Sequence, residues 1–466
     1  MKQSIKFLLS AFAAMFVGVT AFAQLTTSSL NGLVADASGE PVIGAAVIAT
    51  HTESGTSYAT VTNNEGRYYI NGMRAGGPYK VEVSCLGYRT VAFTDVTLQL
   101  AESLSLNAKL EDDAQMLSEA IVISDATSKF AAEKTGAATN ISNRQIAGLP
   151  TVSRSITDVT RLSPYGGNGM SFAGADGRTA NFTVDGANFN NNFGLNDGLP
   201  GGGSPISIDA IEEMQVVISP YDVRQTNFIG GGVNAITKSG TNTFKGSAYI
   251  YHRNENMRGD TVEGETVSGA RDKDRNTTYG FTLGGPIIKN KLFFFANFEY
   301  SKVPTVVNRW HGSVDGVADA DNYVSRTKID DLKKVSEYVK SKYGYDTGSW
   351  TDFPANESNM KILARIDWNI NDKNHLAVRY NYTLNRAWNS PNGSSMDAGS
   401  RSAYSRMSKY GMSYANSMYS MDNLVHSLSL DLNSRISDNL SNQFLATMSL
   451  LNDVRGTDSS DFPFID

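Results

Sequence analysis

The chain has 466 residues, a formal net charge of −6 and 19% charged residues. That length accommodates roughly three domains, and the acidic balance with no basic run gives no support to a nucleic-acid partner or an anionic membrane surface. Mean hydropathy is −0.28, and after residue 24 no apolar stretch approaches the ~20 residues of a spanning helix, which excludes an α-helical membrane protein but not a β-barrel, whose strands are only half apolar.

Lys2 and Lys6 precede an apolar run from Phe7 to Thr20, and Ala21-Phe22-Ala23 supplies an A-x-A exit. This predicts a secretory signal peptide over residues 1–23, with Gln24 first in the mature chain. A retained membrane anchor fits less well, because the apolar core is short. Cys85 is the single cysteine, so no intramolecular disulfide can form. The five histidines are scattered without metal-ligand spacing; no metal and no cofactor is implied. No Ser-His-Asp, Cys-His or paired-carboxylate constellation stands out, so the reading is not an enzyme.

Residues 24–112 read as a small β-sandwich. Alternating segments at Leu30–Ala35, Ala45–Thr50, Ser57–Thr62, Tyr68–Ile70, Tyr79–Cys85, Val91–Val96 and Ser103–Lys109 are separated by glycine turns such as Asn63-Asn64-Glu65-Gly66, a spacing typical of sandwiches. Gly32-Leu33-Val34, Asp36, Gly39, Pro41-Val42, Gly44-Ala45, Thr62-Asn63, Gly66, Tyr68 and Gly87-Tyr88 resemble the carboxypeptidase regulatory-like domain. The resemblance implies a transthyretin-like, carbohydrate-binding-like fold and an accessory module, with the catalytic residues of the enzymes missing. Sugar binding and a periplasmic spacer or docking role are both open, the second the better supported.

Residues 113–138 are a hinge. After Glu111-Asp112-Asp113, the run Leu117–Ser124 is a short β-prone segment with small polar residues beyond it. Such a strand can pair with another protein's sheet edge or add to a neighbouring domain.

Residues 139–242 predict a glycine- and asparagine-rich α+β globule. Short helices are expected at Ile141–Leu149 and Ser155–Arg161, a helical turn at Ile208–Glu213, and strands at Asn181–Gly186 and Met214–Ser219. Phe172, Phe182, Phe189 and Phe193 argue for a compact domain rather than a linker. The glycine run Gly230-Gly231-Gly232 lacks the G-K-[ST] ending of a phosphate loop.

Residues 243–466 alternate with period two. Met360, Ile362, Ala364, Ile366, Trp368 and Ile370 form one face of a strand, opposed by Lys361, Leu363, Arg365, Asp367 and Asn369. Leu292, Phe294, Ala296, Phe298 and Tyr300 form another apolar face, opposed by Asn297 and Glu299. Similar faces occur in Leu376–Leu384, at Leu428, Leu430 and Leu432, and from Phe444 to Leu450. Weaker strands are expected at Phe244–His252 and Tyr279–Gly284. Connections alternate long (253–278, 303–359, 385–423) and short (286–290, 371–374, 437–439), the pattern of extracellular loops against periplasmic turns. The second long connection, 303–359, is expected to hold a helix at Lys328–Lys342. Seven strands cannot close around a plug, since plugged transporters use ~22, so the expectation is a barrel fragment.

Val184-Asp185-Gly186, Ile211-Glu212-Glu213-Met214-Gln215-Val216, and the run from Gly230 to Asn242 leading into Phe244-Lys245-Gly246-Ser247 closely resemble the plug of TonB-dependent outer-membrane receptors. The order sandwich–plug–barrel, with Gly284-Gly285-Pro286 and Leu292-Phe293-Phe294-Phe295, is similar to the Oar-like branch. The resemblance implies a mainly β protein in the cell outer membrane, with its N-terminal domain periplasmic, importing a nutrient. It implies as partners a TonB-type energy transducer, outer-membrane lipid and an unknown ligand. Ser118, Glu119, Ala120, Ile121, Val122 and Ile123 become the candidate TonB box. Asp185, Gly186, Gly230, Gly231, Gly232, Asn234, Thr237, Lys238 and Gly240 become plug-motif positions. Tyr404, Tyr410, Tyr414 and Tyr419, in the Ser/Met/Tyr-rich connection, are a candidate ligand-contacting surface. A surface binding or adhesion protein that kept the barrel without transport is the alternative.

Overall fold

The computed structural model describes residues 26–112, 121–124, 137–151, 153–190, 199–200, 203–219, 225, 229–257, 259–266, 275–304, 308–351, 353, 356–390, 407–437 and 440–462. The signal-peptide assignment, Ser118, Glu119, Ala120, Phe193 and Tyr404 lie outside the described residues.

Eight strands build the N-terminal sandwich: β1 (Thr27–Ala35), β2 (Ala46–His51), β3 (Thr56–Val61), β4 (Arg67–Arg74), β5 (Gly76–Ser84), β6 (Val91–Leu98), β7 (Ser103–Ser105) and β8 (Ala108–Lys109). One sheet has the order β4-β1-β7 with β8 also on β1, and the other runs β3-β2-β5-β6. Successive side chains point to opposite faces of a strand, so Leu30, Val34, Val47, Ala49, Tyr68, Val81 and Val83 meet between the sheets as one core. The single strand expected at Ser103–Lys109 is split in two. Between its halves the Leu106 carbonyl accepts the Tyr68 hydroxyl at 2.7 Å instead of a ladder partner. A further strand, β9 (Ile121–Ser124), adds to β6 in parallel.

The next sheet has the order β10-β13-β14-β11-β12. Its strands are β10 (Ala137–Ser142), β11 (Asn181–Val184), β12 (Ala187–Asn188), β13 (Ile211–Ser219) and β14 (Gly232–Thr237), with helices α1 (Asn143–Gly148) and α2 (Ile156–Thr160). The helix expected from Ile141 starts later, because Ile141 pairs with Met214 on β13 and Ser142 caps α1 in a capping box with Gln145. The turn expected at Ile208–Glu213 shrinks to a 3-10 turn at Ile208–Ala210, since Ile211 already pairs with Thr237. Phe172, Phe182 and Phe189 are buried in one core with Val184, Ile206 and Met214. The aromatic residues therefore do compact the glycine-rich stretch.

After β15 (Lys245–Arg253), a small hairpin of β16 (Thr261–Val262) and β17 (Glu265–Thr266) lies in the first long connection. Strands β18 (Asn276–Ile288) and β19 (Leu292–Pro304) follow; the second long connection holds β20 (His311–Ser313), β21 (Val324–Lys328) and α3 (Ile329–Tyr343). Then come β22 (Asn356–Asn371), β23 (Asn374–Asn389), β24 (Tyr419–Ser437) and β25 (Leu440–Gly456). The seven long strands form one antiparallel sheet in chain order, open at β15 and β25. They extend further toward the long loops than their apolar faces predicted. Asn389 still pairs with Tyr419, so Tyr419 stands on β24 rather than in a loop. The α3 helix begins one residue later than expected, with Lys328 as its cap, and ends on Gly344 at φ 71°.

Burial in this sheet is inverted relative to a water-soluble sandwich. On β22, Ile362, Ala364, Ile366, Trp368 and Ile370 are exposed, whereas Lys361 and Leu363 are buried and Arg365 and Asp367 half-buried. On β19, Asn297 and Glu299 are buried while Phe294, Phe298 and Tyr300 remain partly open. The charged side chains face the plug, together with the buried Phe293, Phe295 and Leu363, and the outward face is apolar, as expected of a lipid-embedded barrel.

The sandwich carries a pH-sensitive group of its own. His51 is buried against Tyr79, ring centroids 5.1 Å apart, with its Nδ1 2.8 Å from the Ser54 hydroxyl. Burial, reinforced by Arg74, pulls its pKa down to about 3. An unfolded chain binds that proton near pH 6.5, so this contribution is complete above about pH 6.5 and lost progressively toward pH 3. Lowering the pH from 7 to 5 is expected to cost the sandwich about 2 kcal/mol. Faster amide exchange in β2 and β5, absent in His51→Asn, is the check.

Candidate functional site at the plug–barrel interface

Asp185 and Gly186 form the tip of the β11–β12 hairpin. Both have positive φ, 45° and 77°, as the tight hairpin turn demands. The tip reaches the inner wall of the barrel: a Cβ on Gly186 would stand 2.5 Å from a Leu445 methyl. Asp185 is thereby held against the wall with both oxygens occupied. Its Oδ1 accepts the Thr237 backbone N–H at 2.9 Å, and its Oδ2 accepts the Thr237 hydroxyl at 2.6 Å.

Two barrel guanidinium groups face this carboxylate. Arg365 on β22 lies 3.5 Å from Asp185 Oδ1, and Arg379 on β23 lies 3.4 Å from Oδ2. Arg365 also donates to the Thr237 carbonyl at 2.8 Å and to Asp367 at 2.8 Å, while Arg379 donates to the Ser427 hydroxyl at 3.1 Å. Ser429 on β24 donates to the Asp185 carbonyl at 2.9 Å. Arg379 is only 2% exposed, so its charge depends on this plug carboxylate for compensation. Thus Asp185 joins three barrel strands through one hairpin tip.

A second cluster lies on the same interface. Glu299 on β19 accepts from Lys361 Nζ at 2.9 Å, from the Ser207 hydroxyl at 2.8 Å and from the Tyr249 hydroxyl at 2.9 Å. Lys361 also donates to Ser204 at 2.9 Å. Arg154 of the plug pairs with Asp209, stacks 4.0 Å from the Tyr251 ring centroid and reaches Glu299 at 3.7 Å. Asn381 and Thr383 on β23 both donate to the Pro205 carbonyl, at 3.1 and 2.6 Å. Much of the plug–wall contact is therefore polar and ionic. Such groups can exchange their partners for water if the plug moves, whereas an apolar seal would resist wetting.

The other plug-motif positions lie along β14 and its two flanks, Gly230 and Gly231 against Ala175, Thr179 and Phe172. Gly230 and Gly231 lead into β14, which starts at Gly232. Asn234 accepts the Thr183 hydroxyl at 3.0 Å. Lys238 donates its backbone N–H to the Ala210 carbonyl at 2.8 Å, and burial lowers its pKa against the opposing pull of Glu212 and Asp209. Gly240 lies where the chain passes from plug to barrel; a Cβ there would meet the Phe294 and Gly285 carbonyl oxygens at 2.4 and 2.7 Å.

Of the candidate ligand-loop tyrosines, Tyr410, Tyr414 and Tyr419 fall among the described residues. Tyr414 is buried; its hydroxyl donates to the Leu332 carbonyl of α3 at 2.8 Å, and burial pushes its pKa up to about 12. Tyr410 lies under Lys409 and Arg326, 4.8 and 5.7 Å from its ring centroid. Tyr419 faces Arg455 at 5.1 Å. Of the candidate TonB box, Ile121, Val122 and Ile123 form most of β9 on the edge of the sandwich.

The sandwich closes the end that carries the short turns. Lys245 Nζ donates to Glu53 at 2.7 Å, Asn369 to Thr56 at 2.9 Å, and Tyr58 packs 4.9 Å from His375. It also meets the plug: Leu100 N–H donates to Glu213 at 3.0 Å, and Gln215 donates to the Leu100 carbonyl at 2.9 Å.

A plug seated by buried ion pairs on the polar lining of a sheet with an apolar exterior defines a plugged outer-membrane barrel. Comparison with known proteins agrees. The carboxypeptidase regulatory-like domain family matches residues 29–111, and the outer membrane beta barrel domain family matches residues 236–314. TonB-dependent transporter Oar of Myxococcus xanthus is 25% identical over 388 residues, 80% of this chain and 34% of that protein. TonB-dependent receptor SusC of Bacteroides thetaiotaomicron is 33% identical over 118 residues, 25% of this chain and 10% of that protein. Among solved structures, the outer membrane transporter YddB from Escherichia coli superposes with a TM-score of 0.46 at 13% identity, covering 69% of this chain and 40% of that one. The siderophore receptor PirA from Pseudomonas aeruginosa gives 0.43 at 13% identity, with 69% and 42% covered. The chain is homologous to the TonB-dependent outer-membrane receptors, of the kind that carries a carboxypeptidase regulatory-like domain, and its place is the outer membrane. It spans about a third of the length of Oar.

The sequence reading singled out Asp185 and its plug partner Thr237, but not the barrel groups that meet them. Arg365, Arg379, Glu299 and Lys361 were visible only as polar members of alternating faces. Their charge on a face opposite aromatic and aliphatic residues was the available signal; which plug residue each would meet was not encoded locally.

Proposed function

We propose that this chain is the sandwich, plug and first seven barrel strands of a transporter that imports a nutrient through the outer membrane. The energy comes from a periplasmic transducer of the TonB type that pairs with the segment Ser118–Ile123. The observation that carries this reading is the polar, ion-paired seat of the plug, centred on Asp185 between Arg365 and Arg379. Beside the apolar contacts that Phe295, Leu363 and Val425 of the wall make with the plug core, this ionic seat can exchange its partners for water when the plug is pulled. The chain's own residues perform no covalent chemistry in this reading, and its homologues are transporters and receptors rather than enzymes. The apolar outer face contacts lipid, and the sandwich lies on the periplasmic side with the short turns.

The test is deletion of Ser118–Ile123 in the full-length protein. The expected outcome is the same growth and uptake defect as complete loss of the gene, with normal amounts of protein in the outer membrane. Wild-type growth and uptake would sink the transport reading and favour a surface-binding protein. Sugar binding by the sandwich is a separate possibility, checked by a glycan array with the sandwich as probe; no bound glycan removes it.

A further inference from the structure

The sandwich lies across the mouth formed by the short turns, and its contacts follow that rim from one end of the barrel sheet to the other. At the β15 end, the Glu53 carbonyl of the β2–β3 turn accepts the Asn242 N–H at 2.8 Å, and Lys245 pairs with the Glu53 carboxylate at 2.7 Å. A Cβ on Gly55 would stand 2.4 Å from Asn290 Oδ1, in the β18–β19 turn. Asn369 and His375, on either side of the β22–β23 turn, meet Thr56 and Tyr58. At the far end, a Cβ on Gly72 of β4 would lie 3.2 Å from Asn433 Oδ1 of β24, and Thr26 accepts from Gln443 of β25 at 2.7 Å. The same domain touches the plug. Ala75 and Leu100 are buried with Ile236 of β14, and Glu213 and Gln215 of β13 hold the Leu100 backbone. The plug is thus bracketed between its ionic seat on the wall and the sandwich at the mouth.

We propose that the sandwich is a second gate, a lid latched on the rim that has to lift before the plug moves or cargo reaches the periplasm. This rests on the reading of the chain as a transporter. The domain has a core of its own, in which Leu30, Val47, Tyr68 and Val81 are buried, so it moves as one body. Its latch is weak in kind. Among the described residues the rim contacts are single hydrogen bonds, a ring contact and an exposed ion pair, and apolar burial against the plug is confined to a small cluster. Domains part across polar interfaces of this kind and stay fixed across large hydrophobic ones. The plug's own seat is buried and ion-paired, and breaking it leaves charge uncompensated. The latch therefore yields first, and the plug cannot be drawn toward the short-turn end while the lid is shut.

The test begins with the full-length protein in lipid discs, carrying Cys85→Ser and Leu100→Cys. Position 100 is fully buried between lid and plug, so its thiol reacts with a water-soluble maleimide only when the two part. Adding Glu53→Ala and Asn369→Ala at the rim is expected to raise the labelling rate severalfold; an unchanged rate overturns the latch. In cells, Thr56→Cys and Asn369→Cys, with Cys85→Ser, are joined by a short, cleavable thiol-bridging reagent across the contact that these side chains make at 2.9 Å. Growth is followed in the medium in which loss of the gene stops it. The closed bridge is expected to arrest growth as gene loss does, and cleavage to restore it. Wild-type growth with the bridge closed overturns the lid. Deleting Ser118–Ile123 keeps the two readings apart. Arrest on deletion but not on bridging overturns the lid alone, whereas growth untouched by the deletion removes the transport reading and the lid with it.

Discussion

Replacing Asp185 with alanine is expected to unseat the plug. The substitution leaves Arg379, which is 2% exposed, and Arg365 facing each other across the emptied position. Removing one partner of a buried ion pair costs about 3–5 kcal/mol, because the remaining charge is uncompensated. Alanine also loses the two bonds to Thr237 and is strained at φ 45°. Asp185→Asn separates part of these effects, since asparagine tolerates the left-handed turn and keeps one acceptor oxygen for Thr237, while the charge and the second acceptor are lost. In the full-length protein, both variants should admit bulky antibiotics that the wild type excludes, alanine more than asparagine. Pairing Asp185→Asn with Arg379→Met should restore much of the seal, because the pair is then removed rather than broken. A sealed Asp185→Ala barrel would show that the ion pairs do not seat the plug.

The second large effect is on the outer face. Ala364 on β22 is exposed, flanked by Ala296 and Tyr380 on the neighbouring strands. Arginine at a lipid-facing position near the middle of a bilayer costs about 2–4 kcal/mol. The next residue is already an arginine, yet Arg365 points to the plug, where Asp367 and Asp185 receive it. Ala364→Arg is therefore expected to cut the yield of folded, heat-modifiable full-length barrel in membranes sharply. Full tolerance of the substitution would mean that this face meets water.

These two residues also illustrate how far the sequence could be read. Period-two alternation around Ala364 gave the strand, and its pairing with short turns and long loops gave the polarity, because both depend on local pattern. The strand ends were misplaced toward the loops. The reason is that Asn385–Asn389 and Tyr419–Asn423, which pair across strands, mix Ala387, Trp388 and Met421 with Asn, Arg, Ser and Asp, so no continuous apolar face marks the strands there. In the plug, Asp185-Gly186 announced a tight turn, yet Arg365 and Arg379 follow at long sequence distance on different strands. Such a site is created by the threading of a hairpin into a lumen, and no local rule specifies it. The start of α1 was missed for a similar reason: Ile141 is claimed by a partner strand far along the chain.

The central claim is that a periplasmic partner grips the segment around β9 and thereby moves the plug. It is tested most directly by a photo-cross-linking amino acid at Val122 of the full-length protein in energised cells. The account predicts a cross-link to the energy transducer that disappears when the proton gradient is collapsed. A cross-link confined to the protein's own sandwich, unchanged by energisation, would contradict it.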